Sequence, residues 1–78
     1  MTKDAIQQAV LKTPFKPFAL RFTDGSLLHV PHPEFIHLTP NGRTAVIDGP
    51  NGDINKIVDV AFITAIDFDA PNPKPSVG

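Results

Sequence analysis

The chain has 78 residues, 41% of them apolar, with seven Lys and Arg against eight Asp and Glu and no cysteine. That length supports one domain with a thin core that buries roughly 60% of the surface its unfolded form exposes, and a net charge of −1 sets up no strong field toward nucleic acid or membrane. Without cysteine there are no disulfides and no thiolate zinc sites, so regular pairing or a partner subunit must support the small core.

Residues Met1 to Gln8 carry no apolar signal segment, and the longest apolar run, Val60 to Ile63, is far short of a membrane span. A cytoplasmic, soluble protein without a membrane partner is expected. Ile6, Ala9 and Val10 recur at helical spacing, Leu11 widens the stripe, and Thr2 with Asp4 supplies a cap and first-turn charge. These predict one short helix over residues 3–12. Pro14 and Pro17 disfavour helix at the residues before them, so 13–17 should run extended into the first strand, with Phe15 and Phe18 pinning it to the core. The same segment has a Pro-x-x-Pro spacing of the kind aromatic grooves read, but Phe15 seeks burial and a structural strap is the simpler account.

Residues 18–30 form two alternating apolar runs hinged on Asp24-Gly25, which predicts a β-hairpin. A three-residue loop ending in a left-handed Gly25 pairs Leu20 with Leu28 and Phe18 with Val30. That register gathers Phe18, Leu20, Phe22, Leu28 and Val30 on one face and leaves Ala19, Arg21, Leu27 and His29 on the other. Pro31-His32-Pro33 reads as a bend within the second strand, which resumes over 34–39. Pro40-Asn41-Gly42 turns the chain into a third strand at 44–48, and a turn-rich 49–53 leads to a fourth at 54–58. A single helical turn over 59–62 then precedes a fifth strand at 63–68. The segment 69–78 alternates proline with polar residues and is read as a flexible tail outside the single domain 1–68.

Three histidines, His29, His32 and His37, raise the possibility of an open zinc site. Strands flanking a proline bend do not readily converge, and half-exposed strand residues with His32 capping the bend are the simpler account, so no metal or other cofactor is assigned. His32 with Glu34 as a proton-transfer pair lacks other polar groups to hold a substrate, and no catalytic residue is assigned. Nucleic-acid binding needs cations and exposed rings; there is no Trp or Tyr, and most of the six Phe are needed inside. Lys12, Lys16, Arg21 and Arg43 would act together only if symmetry collected them into a ring, with Lys16, Arg21 and Arg43 the candidate RNA contacts.

Self-association is the best-supported expectation. Alternation places Ile63 and Ala65 on one face of the last strand and Ile66 and Phe68 on the other, while Ile54 and Val58 oppose Ile57 in the strand before it. Apolar groups on both faces suit strands covered on both sides, which so short a chain does not easily supply by itself. The candidate subunit interface is Ile54, Lys56, Val58, Ile63, Ala65, Ile66 and Phe68, with Lys56 as an edge guard.

A short N-terminal helix, five antiparallel strands, a bent second strand and a one-turn link before the last strand together resemble the Sm-like small barrel over residues 3–68. Lys56 to Ile66 resembles the last two strands of the bacterial Sm-like RNA chaperones, although Asp59, Val60 and Ala61 stand where that family presents a Tyr-Lys-His triplet to RNA. Pro14-Phe15-Lys16-Pro17-Phe18, Asp24-Gly25 and Val30-Pro31-His32-Pro33-Glu34-Phe35 also resemble a set of small bacterial proteins of unassigned function. The resemblance implies a mainly β fold, a short helix followed by a five-stranded, strongly bent barrel of Sm-like or SH3-like class. It implies a non-enzymatic homo-oligomeric interaction or scaffold module, with an RNA-binding Sm-like ring as the alternative.

Overall fold

In the computed structural model, which describes residues 1–68, Thr2 opens helix α1 (Lys3–Leu11) and its Oγ1 accepts from the Ala5 amide at 3.4 Å. Ile6 and Ala9 are the buried positions of that helix. Helix ends at Leu11 because Lys12 is already extended (ψ 133°), ahead of the proline that excludes helix at Thr13. The strap that follows bends at Thr13–Pro14, a cis peptide, where a straight extended run was expected. Phe15 nonetheless anchors it, its ring centre 5.9 Å from that of Phe18. The proline-rich tail read at 69–78 lies outside the described residues.

Strands β1 (Phe18–Phe22) and β2 (Leu27–Val30) pair in the predicted register, Leu20 opposite Leu28 and Phe18 opposite Val30. Gly25 takes φ 86° in the turn, and Asp24 Oδ1 holds the loop by accepting from the Ser26 amide and hydroxyl at 2.9 and 2.6 Å. A Cβ at Gly25 would meet nothing within 4 Å, so Gly25→Ala tests the backbone alone. A loss of about 1–2 kcal/mol is expected in urea unfolding, the cost of an L side chain in the left-handed region. Ala19, expected on the open face, is fully buried. It sits on the central strand between His29 and Asp67, and neighbours on both sides cover so small a side chain.

The proline bend is more abrupt than the expected continuous strand. Pro33–Phe35 forms a 3₁₀ turn, with the Phe35 amide donating to the His32 carbonyl at 3.1 Å, and pairing resumes only at β3 (Ile36–Leu38). Proline fits the first turn of a helix, where its missing N–H is no loss, so residues 33–35 coil and the predicted second strand divides in two. His32 contributes its carbonyl but no side-chain cap; its ring instead meets Phe35 edge-on at 5.5 Å.

Strands β4 (Thr44–Asp48), β5 (Ile54–Asp59) and β6 (Ile63–Asp67) complete a set of six among the described residues, with a 3₁₀ turn at Val60–Phe62 where one helical turn was expected. They form two antiparallel three-stranded sheets, β2-β1-β6 and β3-β4-β5. The architecture is mainly β with one N-terminal helix. Phe18, Leu20, Phe22, Val30 and Ile63 from the first sheet meet Ile36, Ala45 and Ile47 from the second, with Ile6, Ala9 and Val60 completing the core. The Val60–Phe62 turn ties the halves together: the Val60 amide donates to Arg43 O at 2.8 Å, and Phe62 O accepts from the Thr23 amide at 2.9 Å. Among the described residues, no helix is long and apolar enough to cross a membrane.

Candidate interaction surface

Directly opposed residues of an antiparallel pair share a face, and this decides which side chains β6 can offer a partner. Ile63 opposes Phe22 and Ile66 opposes Leu20, whereas Ala65 opposes Arg21. The register shifts between Arg21 and Phe22, leaving Thr64 as the extra residue of a bulge. Because one inserted residue reverses the alternation, Ile63 joins Ile66 on the core side. Phe68 follows them, its ring 5.9 Å from Phe18. The strand is therefore apolar on one face, not on two as simple alternation predicted. Ile63 is 1% exposed and its side chain belongs to the chain's own core. Ala65 and Ile66 are half-buried.

Strand β5 keeps its two-sided character, rearranged by a second irregularity. Lys56 and Val58 oppose the buried Ile47 and Ala45, Ile57 opposes Val46, and a register shift between Ile47 and Asp48 sets Ile54 opposite Asp48. Ile54 thus shares the outer face with Ile57 rather than the inner face with Val58. Among the described residues nothing covers that pair, 61% and 62% exposed. Lys56 turns inward at the sheet edge, its Nζ 5.2 Å from the centre of the Phe22 ring, within cation–π range. An inward-turned charge on an edge strand discourages indiscriminate strand pairing.

Beside β5 lies a cleft of about 430 Å³ between that strand and the β1–β2 turn. Phe22, Ile57, Val58 and Phe62 supply its apolar surface, and Asp24, Lys56 and Asp59 its charges. Phe62 is 57% exposed and was not among the residues singled out from the sequence. The signal was Asp59, whose Oδ1 accepts from the Ala61 amide at 2.9 Å and starts the turn that carries Phe62 outward. Hydrogen bonds from the Ser26 hydroxyl and then its amide, with Lys56 nearby, hold the Asp24 carboxyl below its ordinary value of 3.8. Such a group favours the folded state above the ordinary value, and that contribution is lost as pH falls through the lowered one. An NMR titration of Asp24 is expected to give a midpoint below 3.8 that rises in Ser26→Ala.

The three candidate RNA contacts occupy separate elements. Lys16 lies in the strap, its Nζ 5.8 Å from the Phe68 ring centre; Arg21 is on β1, 3.5 Å from Asp67 Oδ2; Arg43 sits in the β3–β4 turn. The Arg21–Asp67 pair is partly exposed and of the kind worth at most about 1 kcal/mol. His37 Nε2 lies 3.1 Å from Asp48 Oδ2, His32 is against Phe35, and His29 is on β2. Among the described residues no group of three or more His, Cys, Asp or Glu converges.

Compared with known family models, curated proteins and solved structures, the chain matches none.

Proposed function

We propose that the protein is a non-enzymatic interaction or scaffold module that assembles with copies of itself, and that its two sheets are the halves of a strongly bent small barrel of the Sm-like or SH3-like kind. The observation that carries the assembly is the uncovered pair Ile54 and Ile57 on the outer face of β5, continuous with the exposed Phe62 at the cleft. Contiguous apolar surface on an edge strand marks a contact site. Lys56, Val58, Ala65, Ile66 and Phe68 complete the proposed interface, which in a head-to-tail arrangement joins β5 of one copy to β6 of the next. The strand path supports the barrel reading: β6, β1 and β2 lead through the Pro33–Phe35 turn to β3, β4 and β5, and the chain then returns to β6.

Size-exclusion chromatography with light scattering tests the assembly. A mass of two or more chains is expected at micromolar concentration, and a strictly monomeric mass at high concentration would overturn it. An RNA-binding ring is the alternative outcome of the same preparation. It predicts binding to A-rich or U-rich RNA that weakens steeply with salt as phosphate contacts are lost, and no binding at low salt removes it.

A further inference from the structure

The cleft between the β1–β2 turn and β5 has a composition that the described residues do not satisfy. Its apolar surface is aromatic and aliphatic, with Phe62 largely exposed, and its lining carries two carboxylates and one ammonium. Asp24 and Asp59 each use Oδ1 within the chain, on Ser26 and on the Ala61 amide, and a carboxylate accepts at both oxygens. The complementary ligand is an extended segment that offers an apolar group and, a short distance along, a cation.

Pro14 to Pro17 has this pattern but is engaged in the fold, Phe15 on Phe18 and Lys16 near Phe68; beyond the described residues the sequence offers Pro71-Asn72-Pro73-Lys74-Pro75. In a polyproline II helix residues three apart lie on one edge about 9 Å from each other, which sets Pro71 and Lys74 side by side as apolar group and cation. Three prolines also restrict the conformations available before binding, which lowers the ordering cost of docking.

Reach decides which copy can seat Pro71 at Phe62 together with Lys74 at the carboxylates. Phe68 packs on Phe18 at the start of β1, whereas the cleft begins at Phe22 at its end. Four strand steps span about 14 Å, but the three residues from Phe68 to Pro71 span at most about 11 Å. Pro71 of the same chain falls short. We therefore propose that the cleft is the docking site for the Pro71–Pro75 segment of a second copy, with Pro71 on the Phe62 ring and Lys74 at the Asp24 and Asp59 carboxylates. This rests on the self-association reading and adds a specific contact to it.

The absence of cysteine makes Ser76→Cys a unique attachment point for a nitroxide spin label on the full chain. Spin-labelled protein at natural isotope abundance is mixed with unlabelled ¹⁵N protein. Paramagnetic broadening is expected at the Thr23, Asp24, Ser26 and Phe62 amides and not at Gln7 and Gln8 on α1. Adding Lys74→Glu to the spin-labelled copy should weaken the association about two- to five-fold, as for loss of an exposed ion pair. Phe62→Ala in the ¹⁵N copy, at a side chain outside the core, should also reduce the broadening. Three results would overturn the proposal: no broadening at the cleft, broadening unaffected by both substitutions, or broadening only when label and isotope are on the same copy. Light scattering on the same samples separates the two levels, since an oligomer without cleft broadening overturns this docking alone and a monomer overturns the assembly as well.

Discussion

Aspartate at both Ile54 and Ile57 is expected to convert the assembled protein to monomers without unfolding it. Each isoleucine is about three-fifths exposed on the outer face of β5, so neither supports the core. A fully buried isoleucine gains about 1.5–3 kcal/mol, and roughly half of that remains for a partner to supply at each position. A carboxylate forced into the same contact without a partner costs several kcal/mol more. Every 1.4 kcal/mol is about a tenfold change in affinity, so the double substitution should weaken the contact by at least about a thousandfold. Light scattering at the concentration where the parent protein associates reads the effect, and an unchanged circular dichroism spectrum excludes unfolding. An unchanged mass would place the contact somewhere other than this face.

Leu20→Ala is expected to lower folding stability by about 2–5 kcal/mol, the range for large-to-small substitution at a closed site. Leu20 is fully buried on the central strand of its sheet, opposite Leu28 on one side and Ile66 on the other. A domain of this length has about 4–12 kcal/mol in total, so the substitution removes a large part of it. Urea denaturation followed by circular dichroism measures the loss. A loss below about 1 kcal/mol would mean that the two sheets do not close over β1 as described.

The helix and the first hairpin were legible because their signals are local. Thr2 and Pro14 bracket the helix, and the Asp24-Gly25 turn admits only one register that collects the apolar side chains on one face. What was not legible depends on single inserted residues. Alternation in 63–68 suggests two apolar faces, but an extra Thr64 in the β1–β6 ladder reverses the count and directs Ile63, Ile66 and Phe68 to one side. A bulge leaves no mark in an apolar pattern, since the polar Thr64 fits either assignment. The bend at Pro31 to Pro33 was visible as an interruption, but proline is equally at home in extended chain and in the first turn of a helix. The candidate interface consequently shifted from β6 toward the outer face of β5, where Ile54 and Ile57 remain uncovered, and gained Phe62.

The pairing of β1 with β6 also constrains the order of events during synthesis. Ala19 lies opposite Asp67, so the first sheet is completed only after nearly fifty further residues have left the ribosome. Until then β1 and β2 form an isolated hairpin, and such a pair is marginal in water. Closing so long a loop before its contacts repay the entropy slows folding relative to chains with local pairing. The nascent protein therefore carries its central strand with one side unpaired until β6 has emerged, a period in which it is exposed to aggregation.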